Sequence, residues 1–164
     1  MVLRLIKILV AWAFGAFAAL VCISNFQEAS INLGYIQTVI SMVDVFPTSP
    51  RSRAFLPLES ISTLLSIIVA LDGLIAFLLI IGGLRMLINI QGPALQFNRS
   101  KSVASFGYCV AFLLWFVGFV TIAGEWFLAW QYPMGKGAID ISFNISMVAL
   151  LGLIFLNQKD DEVT

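Results

Sequence analysis

The sequence predicts an all-α integral membrane protein, with four transmembrane helices in an antiparallel bundle. Three observations predict it. First, 60% of the 164 residues are apolar and 11% are charged, where a soluble domain has roughly 45–50% and about 25%. The mean hydropathy is +1.00. Second, four segments reach the ~20 apolar residues that a helix needs to cross a bilayer. Third, these segments are too long and too continuously apolar for barrel strands, which alternate polarity over about ten residues. Hydrocarbon offers the backbone no other spanning form. The whole chain, 1–164, reads as a single four-helix domain.

The first span is 5–23, with Lys7 near its start. A cleaved leader is the weaker reading, because the apolar run exceeds the usual ~7–15 residues. A lipoprotein site at Cys22 would also need a small residue where Val21 stands. An outer loop, 24–60, follows. In it Ile36, Val39, Ile40 and Val43 recur at helical spacing. They predict a short amphipathic helix near 33–43, with Asn32 as its N-cap. Without a basic polar face, that helix is expected to cap the bundle rather than bind lipid or a partner. Pro47, Pro50 and Pro57 punctuate an extended return.

The second span, 61–84, is interrupted by Asp72. The inner loop, 89–105, turns at Gly92-Pro93. Its Asn98-Arg99-Ser100 matches a glycosylation sequon, which a cytoplasmic position would leave silent. The third span, 106–128, carries Glu125 near its end, and the fourth, 138–156, carries Asp140 and Asn144. The short acidic tail, 157–164, contains Lys159-Asp160-Asp161-Glu162 and is expected to be solvated.

Basic residues set the orientation. Arg4, Lys7, Arg85, Arg99, Lys101 and Lys159 would lie on one side, and Arg51, Arg53 and Lys136 on the other. This majority predicts cytoplasmic N- and C-termini, with Trp126 and Trp130 in the outer aromatic belt. Cys22 and Cys109 then lie at opposite ends of their helices, too far apart for a disulfide.

The inventory excludes several chemistries. Without histidine there is no His-ligated haem, no Ser-His-Asp triad and no histidine switch. There is no P-loop motif. A net charge of +0 argues against a nucleic-acid partner. No catalytic, metal or cofactor site is predicted; the expected surroundings are the lipid bilayer and a homo-oligomer or larger membrane complex.

Three polar residues stand inside the spans. Asp72 lies roughly 16 Å from the outer end of its helix, Asn144 about 9 Å and Glu125 about 5 Å, at ~1.5 Å per residue. An acid at such depth costs about 2.5–3.5 kcal/mol to insert, so Asp72 must face the bundle interior. One reading joins the three into a polar ladder. The competing reading pairs Glu125 with Arg51, Arg53 or Lys136, and makes Asp72 an interhelical hydrogen bond. Small residues form candidate packing stripes: Ala11, Gly15 and Ala19; Gly107 and Ala111; Gly73 and Gly82-Gly83.

The runs Leu114-Trp115-Phe116-Val117-Gly118-Phe119, Gly124-Glu125-Trp126-Phe127 and Trp130-Gln131 resemble a bacterial family of predicted small integral membrane proteins. That family's domain is of unknown function. The resemblance continues in Ile154-Phe155-Leu156-Asn157-Gln158 and, more loosely, in Phe46-Pro47 and Arg53-Ala54. It implies four helices in a bacterial inner membrane, and no particular activity. The chain departs from the family pattern at Asp72, where Glu is usual, and at the turn Tyr132-Pro133-Met134-Gly135. Three functional readings follow: a non-catalytic structural or accessory subunit, a proton or small-solute pathway in an oligomer using Asp72 and Glu125, and, least supported, a quinone-binding or membrane-embedded enzyme.

Overall fold

A computed structural model describes residues 1–162. The helices are α1 (Val2–Gln27), α2 (Ala29–Ser41), α3 (Ile61–Ile88), α4 (Ala94–Ser100), α5 (Ser102–Phe112) and α6 (Pro133–Asn157). Short 3-10 turns occupy Arg51–Arg53, Leu58–Ser60 and Ala129–Gln131. The described residues contain no strand. Four helical stretches are long and apolar enough to cross a membrane: Val2–Gln27, Leu58–Ile88, Ala94–Trp126 and Pro133–Asn157. Most run beyond the predicted spans, because hydropathy marks only the lipid-like part of a helix that continues into polar ground. Cys109 accordingly sits well inside its span, and both cysteines are free.

Antiparallel neighbours pack in chain order. Trp12 Nε1 donates to the Ile80 carbonyl at 3.2 Å and fixes α1 on α3. The core draws Ile8, Ala11, Phe14 and Ala18 from α1, Ile75, Ala76, Leu79 and Met86 from α3, Ala104, Tyr108 and Ala111 from α5, and Ala149 and Leu156 from α6. Apolar contact alone does not bring helices together in lipid, so close approach through small residues is needed. A Cβ on Gly82 would lie 2.5 Å from the Ala104 backbone nitrogen. One on Gly152 would meet the Tyr108 ring at 2.6 Å. The Tyr108 hydroxyl donates to the Val10 carbonyl at 3.0 Å, so one side chain of α5 rests on α6 and bonds α1. The Gly15 stripe likewise faces α3, where its Cβ would be 3.1 Å from that of Leu79.

The third span changes register partway. From Leu113 to Trp126 it is π-helical, a form that usually lasts a single turn. Its spacing shows where Phe127 N–H donates to the Ile122 carbonyl at 3.0 Å and the Thr121 hydroxyl to the Phe116 carbonyl at 3.1 Å. Leu128, at φ 57, ends it in a left-handed conformation.

We call the end carrying Arg4 and Asp160 proximal and the end carrying α2 distal. At the distal end α2 lies over the bundle. Its Ile36, Val39 and Ile40 bury against Leu65, Ala123 and Phe127. The cap reading of this helix matches the geometry, but its bounds differ from 33–43. The helix starts at Ala29, directly after a bend at Glu28, so Asn32 is not the N-cap. It stops at Met42, whose φ of 51 turns the chain. That turn buries Met42 and Val45 and leaves the expected fourth apolar residue, Val43, 57% exposed.

The close approach at Gly82 predicts a cost for any added side chain. Gly82→Ala is expected to destabilise by about 1–3 kcal/mol through overpacking. Gly34, in α2, has nothing within 4 Å of an added Cβ, so Gly34→Ala should instead gain up to ~1 kcal/mol from helix propensity. Thermal unfolding in detergent, read by circular dichroism, distinguishes the two signs.

Candidate functional site

Asp72 is 1% exposed, between α3 and the last turn of α1. Its Oδ2 accepts a hydrogen bond from Asn25 Nδ2 at 2.8 Å. Its Oδ1 is buried and has no partner. Asn32 Nδ2 reaches both the backbone carbonyl and the side-chain oxygen of Asn25, at 3.4 and 3.3 Å. A short polar file therefore runs from Asp72 through Asn25 to Asn32, under the bend that joins α1 to α2. Because Asn25 is two residues from the end of α1, the carboxyl sits level with the end of that helix rather than halfway along it.

The other ladder residues are not brought to this file. Glu125 and Asn144 are both exposed. Glu125 lies on the π segment beside Arg53 and Trp126, and Asn144 lines an open groove between α6 and α1. Depth follows from counting residues along a helix, but facing depends on rotation about its axis, which depth does not fix. The expected ion pair of Glu125 with Arg51, Arg53 or Lys136 is not formed either. Arg53 Nη1 instead donates to the backbone carbonyls of Glu125 and Trp126, at 3.1 and 3.4 Å. It thereby satisfies oxygens that every helix end leaves free. Its guanidinium lies 5.6 Å from the Trp126 ring centre. Trp126 and Trp130 are half exposed, each edge-on to a phenylalanine, Phe55 and Phe46 respectively. Gln131 Oε1 accepts from Phe46 N–H at 2.7 Å and ties the long loop to the turn before α6.

The densest polar cluster is at the proximal end, where a solvated tail was expected. Asp160 is 4% exposed and its Oδ2 lies between two buried ammonium groups. Lys7 Nζ is 2.6 Å away, and Lys101 Nζ is also hydrogen-bonded to it. Both lysines also donate to the Gln158 carbonyl, at 2.7 and 2.8 Å. Asn98 closes the ring: its Nδ2 donates to the Asp160 carbonyl at 2.9 Å and its Oδ1 accepts from the Asp160 N–H at 3.0 Å. Arg4, 2% exposed, donates to the carbonyls of Ile90, Gly92 and Asp161 at 2.7–2.9 Å. It lies 4.7 Å from the centre of the buried Phe97 ring. Burial alone would raise the Asp160 carboxyl, but hydrogen bonds and charge from Lys101 and Lys7 hold it below the usual carboxylate range. Two sequence signals pointed here: Lys7 inside an apolar run, and Asp160 four residues beyond the last predicted span.

Two buried hydroxyls at the distal end, of Tyr35 and Tyr132, also lack partners. Burial pushes Tyr35 up to about 12. Among the described residues, no group of three or more Cys, Asp or Glu side chains is placed to hold a metal ion.

Four helices long and apolar enough to span a bilayer define a multi-pass integral membrane protein. More narrowly, residues 3–159 match the model of a family described as predicted small integral membrane protein (DUF2165), and the chain belongs to that family. No curated protein and no solved structure matches it.

Breaking the Asp160 cluster should be costly, because it strands two buried cations. Asp160→Asn is expected to lose about 3–5 kcal/mol. Since the folded carboxyl is depressed, its stabilisation is present above the ordinary carboxylate value, about 3.9, and is lost as pH falls through the folded value. Thermal midpoints from pH 8 to 3 should therefore fall below about pH 4 in the wild type. The variant should start lower and lack that component.

Proposed function

We propose that this protein is a non-catalytic structural or accessory subunit of a membrane assembly. We further propose that it sits in a bacterial inner membrane with both termini cytoplasmic. The observation that carries the first proposal is the apolar plug between the two polar clusters. From Asp72 toward Asp160 the core is Ile75, Ala76, Leu79 and Met86, packed on Ile8, Ala11 and Phe14. A proton relay needs an unbroken series of donors and acceptors; the polar groups of this stretch, the Trp12 indole and the Tyr108 hydroxyl, are each bonded to a backbone carbonyl and to neither cluster. The buried charges instead bind one segment of the chain to another.

The basic residues support this orientation. Arg4, Lys7 and Lys101 gather at the proximal end, and Arg53 is at the distal end. Cytoplasmic flanks are enriched in Lys and Arg, which supports a cytoplasmic proximal end.

One observation favours a second reading, a proton or small-solute pathway in an oligomer. The Asp72 Oδ1 is buried and free, as an exchanging group would be. The test is proton flux in proteoliposomes. Asp72→Asn keeps a hydrogen-bonding side chain and should fold. Wild type and variant are expected to show the same flux as empty vesicles. Flux in the wild type that the variant loses would establish the pathway and remove the subunit reading.

A further inference from the structure

We propose that α6 is the seam of a homodimer, in which Asn144 pairs with Asn144 of a second copy near the middle of the membrane. The inference rests on the reading that this chain works as part of a membrane assembly, and it names the partner.

The seam is written in the spacing of α6. Gly137, Ile141, Asn144, Val148, Leu151 and Phe155 follow one another at intervals of four, three, four, three and four. This is the alternation that keeps a stripe facing a partner helix in a left-handed pair. The stripe is open along most of its length on the flank of α6 beside α1, and only Phe155, half-buried under Lys7, turns toward the bundle. Ile141 is 62%, Val148 55% and Leu151 65% exposed, and Asn144 is exposed beside them. A Cβ on Gly137 would have nothing within 4 Å, which leaves that end of the stripe open to a close neighbour. Asn144, Val148, Leu151 and Phe155 form the α6 wall of an open groove of about 630 Å³ against α1, which Phe14, Tyr108 and Gly152 also line.

Exposed Ile, Val and Leu alone would suit lipid, so the argument turns on Asn144. It stands eleven residues after Pro133 and thirteen before Asn157, in the middle of α6. No hydrogen bond within the described chain satisfies its amide, and hydrocarbon offers none. The groove around it is lined by apolar residues save Tyr108, whose hydroxyl hydrogen goes to the Val10 carbonyl and which forms no hydrogen bond with Asn144.

Symmetry then selects the occupant. Copies inserted with one topology are related by an axis along the membrane normal, so a residue beside that axis meets its own counterpart. Like charges would repel there. A carboxamide is both donor and acceptor, so two of them satisfy each other at the same depth. Lys136 and Asp140, the charged groups on this part of α6, lie toward its distal start, away from the central pair. A polar residue in such a seam also fixes register and partner number.

The test is disulfide trapping in native membranes, in a background carrying Cys22→Ser and Cys109→Ala. Single cysteines at Asn144, Val148 and Leu151 should give a band at twice the monomer mass. Cysteines at Phe143 and Ile154, exposed but rotated off the stripe, should not. In detergent, Asn144→Leu should weaken self-association roughly tenfold, while Asn144→Gln retains most of it. Helical content should be unchanged in both, since the side chain is exposed in the monomer. Trapping that favours Phe143 or Ile154, or equal association of the Leu variant, would overturn the seam. Seam cysteines that trap only a different polypeptide would overturn the homodimer and leave the subunit reading standing. A chain that is monomeric in native membranes and cross-links to no other polypeptide from any face would overturn both.

Discussion

The fold depends on one carboxylate held between two ammonium groups. Asp160 meets Lys7 of α1 and Lys101 at the junction of α4 and α5. These belong to three segments that the sequence holds far apart. Backbone carbonyls take the remaining donors: Gln158 for both lysines, and Ile90, Gly92 and Asp161 for the neighbouring Arg4. Buried charges are tolerable when every donor is satisfied, and costly when one partner is removed. The cluster therefore acts as a lock with little tolerance, and it defines how the loop between the second and third spans folds back under the bundle.

Above that lock the packing is set by size. Where α3 meets α5 there is room for no more than a hydrogen at Gly82. Tyr108 uses the space over Gly152 to reach the Val10 carbonyl. Such bonds are worth around 1 kcal/mol each in a membrane, so close contact across these helices carries much of the cohesion. The distal end is held differently, with α2 and the turn before α6 forming a second apolar cluster. Arg53 and Gln131 fasten the long loop to it.

The architecture was legible because hydropathy is a sum over twenty residues and survives errors at individual positions. The four spans and the amphipathic α2 followed from it. Rotation about each helix axis was not legible, because a nearly all-apolar run has no phase. Thus burial of Asp72 could be argued from its depth, whereas depth alone allowed a ladder to Glu125 and Asn144 that rotation about the helices does not bring together. Val43 fitted the pattern of α2 and failed because Met42 ends the helix first. The π register of Leu113–Trp126 left no mark in residue spacing. The tail was misread by composition: four charged residues in a row suggest solvent, but Asp160 alone turns inward to two cations.

Chain order gives the Asp160 lock a place in folding. Lys7 lies in the first span and Asp160 beyond the fourth. Their contact closes a loop of 153 residues, and the contact of Asp160 with Lys101 one of 59. Loop-closure entropy grows only with the logarithm of length, so the longer closure costs little more than the shorter. The lock is thus a contact of the finished bundle, made only where the first and last helices have already met.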